Sequence, residues 1–584
     1  MFRRISQLLI LSFLATALFA NTQKSYSYDS PEYMKTEALC LIAGVSGPSD
    51  FTPVTADELL LALRRIDKAT LSDGLLSELH LLENALINPN ALLEKDDFAF
   101  NSSIVASPEL YLQSAKDASI LSSDWQYQYR DRRAILDLPL EIWASSYIYG
   151  ELVLSVKDHF VNENGSSFSK QMSHNIPMLN GNDLQKSMPA TSSITIGGNT
   201  SHLFLGRDRQ RLGGGKTGSL MLGDNFYYQN FGKFSIHLSP FTFNYSITYF
   251  DRQKNTLITD YDNFKSRRTA TQLENFGFSG PQQIRVMQNY QISLSESFVI
   301  SLNFGNLFDS DNSLDIRMLN PFMFMHNLFN FTTYNNNDYL DGAKIEANNH
   351  FSLALDCAIA PGWSIYLELM VDQFQLPSES SSTEKEPPNA IGAMLNIANA
   401  AYLLDGYLHS YFEAAYTSPN LYLNEKYANS AGDISHDRKD SYDSYYWNQD
   451  LILGNSIWWG NDISYSGYIH GPDTILLELG SCYESQSWSL GAKIRYKAHG
   501  ERGIRLHENQ YQHIHYTDSV WDMGLTGTVE HTLLLNLFGS YEFSERLSIY
   551  ADLAHYECFN YDNVKGARLS NTQLALGLSC KIGK

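Results

Sequence analysis

The residues most suited, by type and spacing, to binding or catalysis lie in one stretch, which runs from Arg207 to Asn225. Its sequence is RDRQRLGGGKTGSLMLGDN. Its Gly215-Lys216-Thr217 segment is typical of a phosphate-binding loop, but that motif requires glycine at the position of Gln210. The stretch also leads back into an alternating strand pattern instead of a helix. The sequence therefore predicts no nucleotide site here.

The charges of this stretch indicate either ligand binding or internal pairing. Arg207, Asp208, Arg209 and Arg211 precede glycines that would let two backbones approach closely. In a strand, the three arginines share one face, and in a membrane barrel that face has to be the lumen, because a charge facing lipid costs about 2–4 kcal/mol at mid-membrane. We expect Asp208 and the three arginines to bind a glycan through its hydroxyls, and, if the polymer is anionic, the arginines to bind it through charge-assisted hydrogen bonds. Pairing with acidic residues inside the lumen, a purely structural role, is an equally good alternative.

Aromatic and histidine side chains supply two further candidates. Trp458, Trp459 and Asn461 could bind a glycan, whose hydroxyls suit asparagine and whose apolar ring face suits tryptophan. The alternative places the two tryptophans in the aromatic girdle at the membrane interface. His513 and His515 share a strand face, but no third ligand accompanies them. We therefore predict no metal site and no cofactor.

Composition excludes several classes of function. The chain has 42 Lys+Arg against 64 Asp+Glu, whereas duplex binding needs a surplus of basic residues, so nucleic acid is not an expected partner. The five cysteines form no C-x-x-C pair, which argues against a disulfide framework and a structural zinc site. Serine and histidine are common, but no spacing singles out a nucleophile, a base and an orienting group. The sequence predicts a protein that is not an enzyme.

The first twenty residues predict export. Arg3 and Arg4 precede an apolar run from Leu8 to Phe19, and Ala20 suits a cleavage site, so residues 1–20 have the form of a signal peptide. No later stretch has the roughly 20 apolar residues of a spanning helix. A membrane crossing would therefore require a closed sheet, because backbone groups in hydrocarbon find no water to bond.

Residues 21–120 are predicted to be a small helical region. Thr55-Ala-Asp-Glu58 has the form of a capping box, and a second helix is expected from Ser72 to about Ile87. A third helical patch is expected from Glu109 to Ala118. We interpret this region as a bundle without chemistry of its own, with a periplasmic cap on a barrel as the alternative.

In residues 121–584, apolar side chains recur every second residue, as in a strand, instead of every 3.6 residues, as in a helix. Runs of about ten residues alternate apolar and polar side chains, the length at which a tilted strand crosses a membrane. The polar segments between these runs differ greatly in length, with a few residues around Phe543–Arg546 but some twenty at Asn424–Trp447. About 22–28 residues per strand and connection give roughly 16–20 antiparallel strands, with 18 favoured. This pattern predicts an outer-membrane β-barrel, with a soluble sandwich or propeller as the alternative.

The same residues carry a resemblance to a known family. The stretch Arg207–Asn225 resembles the signature of the Wzi-type capsule assembly proteins, although Gln210-Arg211-Leu212 stands where family versions carry tryptophan beside the arginine. Leu319-Asn320-Pro321, Trp363–Phe374, Glu413–Pro419 and His470–Asp473 agree with it as well. The resemblance implies an outer-membrane barrel with a periplasmic helical bundle that binds surface polysaccharide.

We therefore predict a protein of the outer membrane that anchors capsule-like polysaccharide at the cell surface. Its expected partners are that polysaccharide, outer-membrane lipid and the outer-membrane assembly machinery, while the oligomeric state stays open. A porin-like channel for small solutes is the alternative, since the same architecture suffices for it. The two differ in the lumen, which we expect to be plugged in a glycan-binding protein and open in a porin.

Overall fold

A computed structural model describes residues 22–88, 91–95, 97–115, 125–127, 131–157, 173–176, 190–225, 228–249, 282–310, 320, 346–374, 389–422, 465–502 and 523–583. The predicted signal peptide at 1–20 lies outside the described residues. So do Trp458, Trp459, Asn461, His513 and His515.

The described chain forms a closed barrel of 18 antiparallel strands, as the sequence predicts. Each strand pairs with its neighbours in sequence, and the last strand closes the barrel against the first. The strands are β1 (two segments, Phe98–Ala106 and Glu109–Gln113), β2 Leu136–Ala144, β3 Ile148–Val156, β4 Thr191–Gly198, β5 Ser201–Asp208, β6 Gln229–Leu238, β7 Phe241–Tyr249, β8 Gln282–Ser295, β9 Phe298–Ser310, β10 Glu346–Ala360, β11 Trp363–Gln373, β12 Ala390–Leu403, β13 Gly406–Thr417, β14 Thr474–Ser485, β15 Trp488–His499, β16 Glu530–Ser544, β17 Leu547–Phe559 and β18 Arg568–Gly583.

The barrel begins earlier in the chain than the sequence pattern predicts. The two segments of β1 both pair with β18, and a short strand at Leu93–Lys95 precedes them. The helical patch predicted from Glu109 is therefore wrong over Glu109–Gln113, and the barrel includes residues assigned to the 21–120 region. The physical reason is that successive side chains of this segment point to opposite sides, as they do in a strand. Leu110 and Leu112 are exposed outward, whereas Tyr111 is buried.

The strands alternate between lipid-facing apolar and lumen-facing polar side chains. In β16, Leu533, Leu535 and Leu537 are exposed, while Leu534 and Asn536 between them are buried. Such exposure of large apolar side chains in regular alternation is the pattern of a wall that meets hydrocarbon. Buried polar residues on the inner side include Ser235, Asn244, Ser246, Thr248, Asn289, Asn303 and Ser352.

The two ends of the barrel differ in their connections. Short turns join β6 to β7, β8 to β9, β10 to β11 and β12 to β13 at one end. At the other end, long connections follow β7, β9, β11 and β13. Membrane barrels of this kind have short periplasmic turns and long extracellular loops, so the short-turn end corresponds to the periplasmic side.

Three helices precede the barrel and form a bundle: α1 Pro31–Ala43, α2 Ala56–Leu63 and α3 Asp73–Ile87. The helices predicted around Thr55 and from Ser72 are confirmed. The capping box of α2 is complete, because Thr55 and Glu58 each accept a bond from the other's backbone N–H. None of the described helices is long and apolar enough to span a membrane.

The bundle lies against the short-turn end and extends into the barrel. Gly44, after α1, approaches Pro361 in the β10–β11 turn, and a Cβ on Gly74 of α3 would lie 3.2 Å from the Tyr402 ring. Deeper inside, Lys233 Nζ of β6 donates hydrogen bonds to the carbonyl oxygens of Phe51 and Pro53. This placement favours the interpretation of the bundle as a cap on a barrel.

Candidate functional site: a filled lumen

The connection between β5 and β6 folds into the barrel; we call residues 209–225 the lumen loop. Its short strand Arg211–Leu212 pairs with Phe51–Thr52 of the N-terminal region. Leu212, Leu220 and Leu222 are fully buried in a cluster with the inner wall. Wall members of that cluster are Met287, Ala354, Tyr366, Met370, Met394, Ala415 and Leu476.

The glycines allow the lumen loop to pass close to the wall. A Cβ on Gly215 would overlap Met394 Sδ and would lie 2.5 Å from the Gly218 carbonyl oxygen. A Cβ on Gly214 would lie 2.9 Å from the Tyr366 ring. Real Cβ atoms essentially never come within 3 Å of another residue's atoms, so a side chain at either position would force its neighbours to shift. The sequence pattern predicts a close approach of two backbones, whereas the approach is largely to wall side chains.

A wall carboxylate occupies the backbone donors that a phosphate loop would offer to a ligand. Glu413 of β13, fully buried, accepts hydrogen bonds from the backbone N–H groups of Lys216 and Thr217 and from the Thr217 hydroxyl. Asn396 of β12 donates to the same carboxylate at 2.8 Å. The glycine-rich turn is therefore bound to the barrel itself.

Arg211 and Arg209 are both engaged inside the molecule. The Arg211 guanidinium stacks on the Tyr28 ring at 3.8 Å from its centroid and donates to the carbonyl oxygens of Gly213 and Gly218. Arg209 forms an ion pair with Asp29 at 2.7 Å. This geometry favours the structural alternative for both arginines over direct contact with a polymer.

Arg207 lies on a different face from the other two arginines. It follows Leu203 and Leu205, which are exposed toward lipid, so strand alternation places it on the outer side of β5. There it stacks on Tyr228 at 4.2 Å and donates to Asn230 at 3.0 Å. The prediction that the three arginines share the lumen face is wrong, because β5 ends at Asp208 and the chain then turns inward.

At the end of a strand an outward charge is tolerated, because the cost of an arginine falls to about 0–1 kcal/mol near the interface. Asp208, the last residue of β5, points the other way and accepts the N–H of Arg209 at 2.7 Å. Its carboxylate thus helps to turn the chain into the lumen.

One ion pair joins the helical bundle to the lumen loop. Lys216 Nζ lies 2.7 Å from the Glu37 carboxylate of α1. Burial by itself raises the pKa of Glu37, but the lysine ammonium outweighs it and holds that pKa below its ordinary value. The charged pair is therefore the stable form at neutral pH.

A segment from the long-loop end covers the lumen loop from the opposite side. Asn225 Nδ2 donates to the carbonyl oxygens of Tyr465 and Gly467, and Gly223 N–H donates to Ser466 O at 2.8 Å. From the wall, Arg285 of β8 donates to both oxygens of Ser466. Bundle, lumen loop and this segment thus form three successive layers inside the barrel.

Sequence reasoning missed the residues that hold these layers together. Glu413, Glu37 and Tyr28 are distant in sequence from the residues they bind, so no local spacing reveals the contacts. One signal was present: Glu413 is a lone acid in an otherwise uncharged strand, GYLHSYFEAAYT. A single charge in a membrane strand has to face the lumen and find a partner there.

Comparison with known proteins identifies the fold. No family model and no curated protein matches this sequence. Among solved structures, the chain resembles Wzi of Escherichia coli with a TM-score of 0.51 and 12% identity, covering 97% of this chain and 99% of that one. OprD of Pseudomonas aeruginosa gives a TM-score of 0.35 at 8% identity, with 83% and 95% covered. OmpT of Vibrio cholerae gives 0.33 at 8% identity, with 84% and 99% covered.

The similarity to Wzi supports the barrel architecture over nearly the whole of both chains. At 12% identity it shows the fold and transfers no site residue. The similarities to OprD and OmpT are too weak to carry an argument.

Proposed function

We propose that this chain is a plugged outer-membrane barrel that holds capsule-like polysaccharide at the cell surface. The observation that carries the proposal is the filled lumen. The lumen loop and residues 465–473 pack against the inner wall in one apolar cluster, and the helical bundle forms a second apolar cluster. Hydrogen bonds to Glu413 of the wall and to Tyr465 hold the lumen loop in place. A binding protein needs no aqueous path, whereas a solute channel does.

The similarity in fold supports the same proposal. Wzi of Escherichia coli is described as an outer-membrane protein involved in group 1 capsule assembly and as a carbohydrate-binding β-barrel. In our proposal, this chain likewise inserts into outer-membrane lipid with the help of the assembly machinery and binds polysaccharide on its long-loop side. Trp458, Trp459 and Asn461, between β13 and β14, and Arg207 at the rim are the proposed contact residues.

We further propose that the protein performs no chemical reaction on its ligand. Arg209, Arg211 and the glycines that suggested a site serve as internal contacts in the lumen. Loss of a lipase or protease activity on replacement of any one serine would contradict this part of the proposal.

A deletion strain tests the anchoring role directly. Removal of the gene should release polysaccharide into the medium while total synthesis stays unchanged, because the protein holds the polymer and does not make it. The full-length chain restores surface polysaccharide, and a chain carrying Trp458→Ala and Trp459→Ala, present at the same level in the membrane, restores it less well. Unchanged surface polysaccharide in the deletion strain would contradict the proposal.

A porin-like channel is the alternative function, and one observation favours it. A cavity of about 530 Å³ lies between the helical bundle and the wall, lined in part by Tyr33, Asp50, Tyr366 and Asn396. Conductance in planar bilayers separates the two functions. A large steady current from the purified protein would support a channel and contradict a plugged barrel.

A further inference from the structure

Three side chains that are distant in sequence meet where the helical bundle touches the barrel wall. Glu58 Oε2 of α2 lies 3.2 Å from His202 Nε2 of β5, and Glu58 Oε1 lies 3.2 Å from His237 Nε2 of β6. One ligand atom from each of the three residues lies within 4.8 Å of the other two. Two imidazoles and a carboxylate are ligands that Zn²⁺ commonly takes in proteins.

The cluster is largely buried and borders the cavity between the helical bundle and the wall. The side chains of Glu58 and His202 are each 2% exposed, and that of His237 is 11% exposed. Glu58 Oε1 and His237 Nε2 lie 3.2 Å apart, and neither atom makes a well-oriented hydrogen bond among the described residues. Burying polar atoms in this way is costly unless something satisfies them.

The spacing of these atoms matches a metal site. Ligands placed tetrahedrally around Zn²⁺ at about 2.0–2.1 Å lie roughly 3.3–3.4 Å from one another. The two oxygen–nitrogen distances of 3.2 Å, one to each oxygen of Glu58, are close to that value, and the three ligand atoms all lie within 4.8 Å of one another. Binding of an ion would draw these atoms from separations of up to 4.8 Å to about 3.4 Å.

Neighbouring groups already orient the ligands. Glu58 Oε2 accepts the Thr55 N–H at 2.7 Å, which fixes the carboxylate. His237 Nδ1 lies 3.4 Å from the Thr242 hydroxyl, so that Nε2 is directed toward Glu58. Such outer hydrogen bonds are usual around metal-binding histidines and carboxylates.

The nearby cation at Lys233 has partners of its own. Its Nζ donates to the carbonyl oxygens of Phe51 and Pro53. These bonds hold the ammonium on the backbone before α2, and its positive charge also interacts with the Glu58 carboxylate.

We propose that Glu58, His202 and His237 bind one first-row transition-metal ion of the Zn²⁺ class. The ion would link α2 to β5 and β6 and so fasten the helical bundle inside the barrel. The sequence predicts no metal site, because nothing in the spacing of these residues indicates that they meet. The inference does not depend on what the barrel binds at its outer end.

The test uses the full mature chain, purified in detergent and stripped of metal with a chelator. Titration with Zn²⁺ should show one bound ion per chain and a rise in the unfolding temperature. His202→Gln and His237→Gln should each weaken Zn²⁺ binding more than about 100-fold, since losing even a residue that only hydrogen-bonds a ligand costs about 10- to 100-fold. His80→Gln is the matched control, because His80 is exposed on α3, and it should bind as tightly as the unaltered chain.

Co²⁺ provides a second measurement that needs no variant. If the variants fail to fold, the unaltered chain loaded with Co²⁺ should still show the intense visible bands of a four- or five-coordinate ion. The absence of a stoichiometric Zn²⁺ site together with the weak spectrum of hydrated Co²⁺ would overturn the proposal. So would equal Zn²⁺ affinity in folded His202→Gln, His237→Gln and unaltered chains.

Discussion

Replacing Glu413 with alanine should detach the lumen loop from the barrel wall. The Glu413 carboxylate accepts the backbone N–H groups of Lys216 and Thr217 and the side-chain amide of Asn396. In Glu413→Ala these donors lose their acceptor while the wall around them stays closed, because Glu413 is fully buried and Thr217 is only 8% exposed.

The size of the effect follows from the donors left behind. A buried donor without an acceptor costs about 1–3 kcal/mol, so the two backbone N–H groups together cost about 2–6 kcal/mol. The Asn396 and Thr217 side chains can rotate toward other acceptors, so we do not add a full contribution for them. Glu413→Gln keeps one acceptor oxygen but no charge, and we expect it to lose about half as much.

Urea unfolding of the purified protein in detergent measures this loss. The difference in free energy of unfolding follows from the midpoint and the slope of the transition. Glu557→Ala on β17 is the matched control, because its exposed carboxylate accepts one bond from Ser570 at the surface. We expect that control to change stability by no more than about 0.5 kcal/mol.

Conductance gives the functional counterpart of the same experiment. A detached lumen loop should admit ions, so Glu413→Ala should show channel openings that the unaltered protein and Glu557→Ala lack. If Glu413→Ala unfolds within about 0.5 kcal/mol of the unaltered chain and stays closed, this carboxylate does not hold the loop, and the reasoning fails.

Three further predictions use the same unfolding assay. The ion pair with Lys216 holds the pKa of Glu37 below its ordinary value, so the pair stabilises the fold fully above a glutamate's usual pKa of about 4.3 and no longer does so once the pH falls below the lowered pKa. Lys216→Gln should therefore lose less stability on acidification than the unaltered chain. An unchanged dependence of the free energy of unfolding on pH would contradict this. Arg209→Gln removes a half-exposed ion pair and should lower the free energy of unfolding by less than about 1 kcal/mol, while polysaccharide retention stays intact. Loss of retention would instead indicate that Arg209 contacts the glycan. Gly215→Ala places a Cβ against a wall sulfur and a backbone oxygen and should destabilise by about 1–3 kcal/mol, whereas Gly47→Ala, with ordinary contact distances, should not; equal effects would argue against the close approach.

The sequence predicts the parts of the fold that depend on near neighbours in the chain. The period of two marks strands because successive side chains point to opposite sides, and Leu533, Leu535 and Leu537 follow it outward. The capping box of Thr55 and Glu58 acts over three residues and is visible in the same way. The strand number follows from the regular spacing of such runs.

A short segment can satisfy more than one local pattern. The sequence predicts a helical patch from Glu109 to Ala118, but Glu109–Gln113 forms a strand of five residues. Its pairing with Gln573–Gly577 of β18 decides that it is a strand, and that pairing closes the barrel. The contact joins residues from opposite ends of the chain, so no window of sequence contains it.

The sequence by itself determined the barrel, because apolar and polar side chains alternate along each of its strands. A strand with one face toward hydrocarbon needs this alternation whatever its neighbours are, so each strand shows it separately. The tertiary structure alone decided what the charged residues do. The chain turns inward after Asp208, and this turn brings Arg211 to Tyr28 and Lys216 to Glu37, while Arg207 remains outside. Charged side chains pair with those that lie close in space, and the closed barrel alone brings these residues close together.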